Sequence, residues 1–322
     1  MSRMNRLAHH LEYGLAAAAG LGLRLLPRRG RLALGRLAGY LVFTLDGRHR
    51  RITLDNLDRA FGATKTDQEK WAIARGAFQH FGSVIFDLFT LGRPSRRKIE
   101  KIVEFEAIEN FEQARAAGRG VIIVPCHFGN WELHGVAHGY RLGPTAVVAR
   151  LQDNPHYNRL LERFRTASDN SVFYKKRAVA RTMRWLKEGE AVAILIDQNV
   201  GHEDGVFVDY FGCKAATSTV VGTLALKTGA AIVPAFALPL AGGRYRLIYE
   251  KPVDRSMVAG LDRERAVREL TQHCTRVLET YVRRNPELWL WMHRRWKTRP
   301  PEEQAAPGNA GERAGWQAQE VG

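Results

Sequence analysis

His127 and Glu132 stand five positions apart in His127-Phe128-Gly129-Asn130-Trp131-Glu132, and their residue types fit acid–base chemistry. An imidazole can take a proton from an attacking hydroxyl when a carboxylate fixes one ring nitrogen and the other stays open. Gly129 and Asn130 supply a tight turn between the two, so the spacing places Glu132 on the ring and makes His127 the general base. The alternative is a buried, hydrogen-bonded histidine followed by a glutamate that a helix N-terminus favours. Cys126 offers a nucleophile, but adjacent residues of an extended chain point to opposite faces, so its thiol should diverge from His127. His134 and His138 have the four-residue spacing of a zinc pair. Gly135 stands where the metalloprotease pattern needs glutamate, and no metal is expected.

The elements around these residues decide whether they can converge. Val121 to Pro125 is a short, wholly apolar, β-branched run, as in a strand buried on both faces. Similar runs follow at Thr145 to Ala149, Ala191 to Ile196 and Ala231 to Leu238, with helix-like segments between them at Trp131 to Tyr140, Pro155 to Ala167, Val179 to Glu188 and Thr219 to Thr228. Gly189 and Gly229 fall where helix C-caps belong. Arg244 to Tyr249 alternates like a late edge strand, and a long helix is expected over Arg263 to Arg283. The fold class is therefore α/β: a mostly parallel central sheet flanked by helices, with a helical portion ahead of it to about residue 100. In such sheets ligands bind beyond the carboxyl ends of the strands, and His127 lies just past the first apolar run.

Composition narrows the setting. The 322 residues carry a formal net charge of +16 and a pI near 10.1, which should draw anionic partners: lipid head groups, an acidic carrier protein, phosphorylated substrates or nucleic acid. Three scattered cysteines argue against a disulfide framework and suit a reducing cytoplasm. Residues 1–45 mix apolar stretches, Leu15 to Leu26 and Leu37 to Leu45, with arginines, and the uninterrupted runs are shorter than a bilayer span needs. Helices lying in an anionic membrane interface fit that pattern. Residues 46–298 would form the main domain, and 299–322 would be disordered.

Other residues are candidates by type. Arg150, after its strand, has the fork geometry to clamp a phosphate or carboxylate. Asp197 and Gln198 close another strand and could bind substrate or cap a loop. Asn130 is a substrate-binding candidate, and Phe207, Tyr210 and Phe211 would line an acyl tunnel or simply join the core. Lys175, Lys176, Arg177, Arg181 and Arg184 form a basic cluster suited to an acidic carrier protein or to solvent. Trp289, Trp291 and Trp296 alternate with Arg294, Arg295 and Lys297, which suits a membrane interface better than a nucleic-acid surface.

Taken together, the motifs resemble those of the glycerolipid and lysophospholipid acyltransferases, and most closely the branch of bacterial lipid A late acyltransferases. His127-x4-Glu132 is similar to that superfamily's His-x4-Asp/Glu motif. Arg150, Asn154-Pro155, Asp197-Gln198, Gly205 to Gly212, Ala230 to Pro234 and Pro286 to Lys297 follow in the order of its further blocks, and Arg51 to Phe61 has its look upstream. The likeness spans roughly residues 45 to 298, and Asp197-Gln198-Asn199 stands where glycerol-phosphate acyltransferases carry a Gly/Thr-rich block. It implies transfer of an acyl chain from acyl carrier protein or coenzyme A to a hydroxyl of a lipid acceptor, at the cytoplasmic face of the inner membrane. It also implies His127 as base, Glu132 as its orienter, Arg150 as a substrate-binding arginine, no covalent acyl-enzyme and no cofactor beyond the thioester. A lysophospholipid, glycerol-phosphate or aminolipid acceptor is the enzymatic alternative. A non-catalytic basic protein bound to membrane or nucleic acid is the alternative from another class.

Overall fold

A computed structural model of the chain describes residues 22–174 and 178–304. Helices come first: α1 (Arg28–Leu45), α2 (Gly47–Phe61), α3 (Asp67–Leu91) and the short α4 (Arg96–Glu100). A capping box starts α3, in which the Glu69 amide donates to the Thr66 hydroxyl and the Thr66 amide donates back to the Glu69 carboxylate. Helix α1 crosses α3 at backbone contact because glycines line the crossing. A Cβ on Gly39 would fall 2.1 Å from the Phe78 carbonyl, and one on Gly82 would fall 2.1 Å from that of Gly35.

The α/β part then alternates: β1 (Val103–Glu106), α5 (Ile108–Ala116), β2 (Val121–Val124), α6 (Trp131–Leu142), β3 (Thr145–Ala149), α7 (Pro155–Arg165), β4 (Ser171–Tyr174), α8 (Ala178–Lys187) and β5 (Ala191–Ala193). A hairpin follows, β6 (Gly205–Tyr210) and β7 (Cys213–Ser218), and then α9 (Val220–Thr228), β8 (Ala231–Leu240), β9 (Arg244–Tyr249) and the long α10 (Arg263–Arg284). Seven strands form one sheet in the order β1-β9-β8-β2-β5-β3-β4, with β8–β9 its antiparallel pair. Strand β2, buried at every residue, lies at the sheet's centre, as its unbroken apolar run predicts.

Strand β6 pairs antiparallel with β7 over its whole length. Two expectations change. Strand β9 is not an edge: β1, too short to read from sequence, covers its far side in parallel register. The tryptophans near the C-terminus do not face a membrane. Trp289, Trp291 and Trp296 are buried among Phe61, Phe128, Tyr210 and Phe211, and Arg295 is buried with them, donating to the Ala216 carbonyl at 2.7 Å and to the Thr217 hydroxyl. The Trp291 indole and the two terminal nitrogens of Arg295 tolerate burial because backbone and hydroxyl oxygens receive them.

Of the expected membrane-associating segment, residues 1–21 lie outside the described residues, as do 175–177 of the basic cluster and 305–322 of the tail. Helix α1 buries Leu32, Gly35, Gly39 and Phe43 and leaves Leu34, Leu37, Leu41, Val42 and Leu45 exposed, Leu45 by 84%. No described helix is long and apolar enough to cross a membrane.

Candidate active site

The parallel pairing of β2 with β5 sets the site. Its register matches Val121 with Ala191 and Ile123 with Ala193, an offset of 70 residues. Continued past both strand ends, the same offset brings His127 level with Asp197, and there they bond: His127 Nδ1 to Asp197 Oδ1 at 2.9 Å. The second carboxylate oxygen accepts from the His127 amide at 2.8 Å and from the Trp289 indole at 2.9 Å. Burial pushes the Asp197 carboxyl up, but the imidazole's charge and these hydrogen bonds outweigh it and hold the group down at about 2. An ionised partner makes Nδ1 the donor, so in the neutral ring Nε2 carries the lone pair. Nε2 faces the open side, with the Gln198 amide nitrogen 3.5 Å away, and the half-buried Trp131 flanks the ring at 5.2 Å. The imidazole keeps a fifth of its surface exposed (20%), whereas Asp197 keeps almost none (1%).

Glu132 is therefore not the residue on the ring. It sits in the first turn of α6, and its carboxylate meets the last residue of α7: Arg165 donates from Nε at 2.8 Å and from Nη2 at 2.5 Å. Burial raises the Glu132 carboxyl, and the Arg165 charge and hydrogen bonds, helped by His127, bring it below its ordinary value. A helix's first turn places its side chains along the helix flank, here toward α7, and the sheet edge is left to the residue that β5 delivers.

The turn after β2 is held by its backbone. Gly129 has φ +60°, and a Cβ there would lie 1.6 Å from the Ala237 carbonyl oxygen, so glycine is required. Its amide donates to the Leu288 carbonyl at 2.9 Å, and the Leu290 amide donates to that of His127 at 3.0 Å, which ties the C-terminal segment to the turn. Phe128 and Cys126 point into the core on either side of His127, as strand alternation predicts. Burial pushes the Cys126 thiol well above its usual value, so it offers no thiolate.

The remaining candidates are spread out. Gln198 lies beside the ring, and Asn130 is buried as the N-cap of α6, accepting from the Leu133 amide at 3.1 Å. Arg150 follows β3 on the same edge of the sheet, with β5 between it and β2. Its side chain is 63% exposed and pairs with Asp153 at 3.1 Å. Phe207 is half-buried on β6 against His202, and Phe211 is buried against Phe61 with the Arg283 guanidinium 4.4 Å from its ring. From the basic cluster, Arg181 lies over the Phe173 ring at 4.1 Å. Sequence reasoning missed two residues of the site, Arg165 and Trp289. A lone arginine at a helix end carries no signal, but the indole N–H at the end of a polar-apolar C-terminal block was a hint of a buried acceptor.

Comparison with known proteins gives the family to which the chain belongs. The family described as bacterial lipid A biosynthesis acyltransferase matches residues 1–298. Similar proteins include three of Escherichia coli (strain K12). The lipid A biosynthesis palmitoleoyltransferase is 26% identical over 277 residues, 83% of this chain and 85% of the relative. The lauroyltransferase is 28% identical over 269 residues, again 83% and 85%. The myristoyltransferase is 26% identical over 297 residues, 90% and 87%. The chain is thus an acyltransferase, and it belongs to the bacterial lipid A biosynthesis acyltransferase family.

Proposed function

We propose that this enzyme moves a fatty acyl group from the thioester of an acyl carrier protein or coenzyme A to a hydroxyl of a lipid A precursor, with His127 as general base and Asp197 positioning it. His127 Nε2 takes the hydroxyl proton as the oxygen attacks the thioester carbonyl. The tetrahedral intermediate collapses, the C–S bond breaks, and the same nitrogen returns the proton to the departing thiolate. No acyl-enzyme forms, and no cofactor beyond the thioester takes part. Asp197 keeps Nδ1 protonated and stabilises the imidazolium formed in passing. Gln198 and Arg150, at the same edge of the sheet, are the polar groups available to the acceptor's sugar and phosphate. Glu132, paired with Arg165, fastens α6 to α7 beside the base. Phe207 and Phe211 are assigned to the walls of the fold around the acyl chain.

The observation that carries this reading is the unequal treatment of one ring: Nδ1 bound to a buried carboxylate, Nε2 open. The names of the relatives supply the acceptor class. Both substrates are amphiphilic or acidic, which fits the exposed leucines of α1 and the exposed Arg29, Arg36, Arg48 and Arg51 around it. Those residues would seat the enzyme on the cytoplasmic face of an anionic inner membrane, as a peripheral protein or beside a single N-terminal anchor.

Mass spectrometry of extracted lipids tests the proposal, comparing cells that carry the gene, lack it, or carry His127→Ala. Loss of one acyl chain from lipid A, restored by the wild type and not by His127→Ala, is the expected result. An intact lipid A with another lipid missing its chain would move the acceptor to a lysophospholipid, glycerol phosphate or aminolipid. Unchanged lipids with the protein expressed would favour a binding role.

A further inference from the structure

Helix α3 carries polar groups that packing alone does not explain. His80 and Asp87 lie seven residues apart, two turns along one face. Both end on consecutive residues of the turn that follows β2. His80 Nε2 meets the Gly129 carbonyl at 3.1 Å, and burial pushes this imidazole down to about 4, so it is a neutral ring that donates from Nε2. Asp87 is 2% exposed, and its Oδ2 accepts from Asn130 Nδ2 at 3.4 Å, from the Tyr245 hydroxyl at 3.3 Å and from Arg28 Nη2 at 2.5 Å.

Each contact has a directional consequence. The Asn130 amide can be seated two ways round, and a carboxylate, which only accepts, admits one of them: Nδ2 toward Asp87 and Oδ1 toward the Leu133 amide it caps. Gly129 is gripped at both ends, its amide by the Leu288 carbonyl and its own carbonyl by His80. Helix α3 also backs the segment that supplies Leu288, since a Cβ on Gly76 would lie 3.0 Å from Glu287. Burying an imidazole and a carboxylate is costly, and apolar side chains would fill the same space without that cost.

We propose that His80 and Asp87 are positioning residues for the reaction: from α3 they fix Gly129 and Asn130, and so fix the angle at which His127 presents its open nitrogen. This rests on His127 being the base. Arg28 opens α1, so the same carboxylate also joins the turn to the helix proposed to sit on the membrane.

The test uses the full-length enzyme, an under-acylated lipid A precursor, and whichever of the lauroyl, myristoyl or palmitoleoyl carrier-protein thioesters the wild type turns over. For each variant kcat, KM and thermal midpoint are measured. His80→Leu should lower kcat by ~30- to 100-fold with KM nearly unchanged, the scale expected when a reacting group is misplaced by about 1 Å. His80→Gln, which keeps a donor, should recover most of that loss, and Asp87→Asn should lower kcat by about 10-fold. Wild-type kcat in His80→Leu, or a loss that tracks the unfolded fraction and that His80→Gln does not relieve, would overturn the proposal. If His80→Leu does not fold, the isosteric Asp87→Asn decides it, and a folded variant with wild-type kcat is then the negative answer. His127→Ala run alongside separates the two inferences. Activity retained there removes the base and the positioning proposal together, whereas an inactive His127→Ala beside a fully active His80→Leu removes the positioning alone.

Discussion

Within twelve residues of chain, His127, His134 and His138 meet opposite surroundings. His127 stands at the sheet's open edge with one nitrogen on the Asp197 carboxylate and the other accessible. His134 and His138 lie on the inward face of α6, buried with Phe111 and Tyr249, and His138 Nδ1 bonds the Tyr249 hydroxyl at 2.8 Å. Both have a buried Nε2 without a hydrogen-bond partner. Burial pushes His134 down to about 4 and His138 well below its usual value, so both are neutral. The same side chain is therefore a candidate base in one place and a packing group seven residues later. The difference is a buried carboxylate and one nitrogen left in the open.

Substitution at each place breaks or sustains that contrast most directly. His127→Ala should cost on the order of 10⁴ in kcat, the upper range for a lost general base, whereas His138→Phe should leave kcat within about 2-fold. Steady-state rates of the two purified variants decide it, and equal losses would erase the distinction. Asp197→Asn probes the carboxylate itself: a loss of roughly 10²–10³-fold with the fold intact is expected, because an amide can hold the ring in the wrong tautomer. A near wild-type rate would mean that position, not charge, is what Asp197 supplies. Arg165→Met comes next, leaving Glu132 buried without its partner at a stability cost of ~3 kcal/mol or more, read from urea unfolding. If Glu132→Gln lowered kcat as far as Asp197→Asn does, Glu132 would be acting on the ring after all, through a movement absent from this arrangement.

How far the sequence discloses this site depends on the distance over which each interaction is encoded. Strand β2, helix α6 and the candidate base at their junction are written locally, in an apolar β-branched run and the His-Phe-Gly-Asn-Trp-Glu turn that ends it. The carboxylate bonded to that histidine is not. Glu132 is five residues away and Asp197 is 70 away, and proximity in sequence pointed to Glu132, whereas the ring's hydrogen bond is to Asp197. The strand neighbours, once known, would have been enough, since parallel register carries a constant offset and Asp197 follows β5 as far as His127 follows β2. The C-terminal tryptophans misled for a related reason. Alternating indoles and cations look amphipathic on paper, but α2, α3 and the β6–β7 hairpin close over them from remote parts of the chain. Arg165 and His80 are each one polar residue among several in their helices, and only the packing of those helices around the turn sets them apart.

Acid titration sharpens the contrast with the smallest perturbation. His134 has a folded-state pKa near 4, below the 6.5 of a free imidazole. Between those values the unfolded chain binds a proton that the folded chain refuses, so stability falls as pH drops through that window, by up to ~1.4 kcal/mol per pH unit for each such histidine. His138 acts in the same direction, and so do His80 and His293, each pushed down to about 4. Asp197 behaves oppositely in position, though not in sign. Its folded pKa near 2 lies below the ordinary 3.8, so its contribution persists above pH 4 and is lost only as pH falls toward 2. Urea midpoints measured at intervals from pH 7 to 4.5 should therefore decline while the His127–Asp197 pair stays intact. His134→Leu should make that decline shallower by about one proton's worth. A slope unchanged by His134→Leu would mean that water or a partner already reaches the inner pair, and that the two histidine environments differ less than their packing implies.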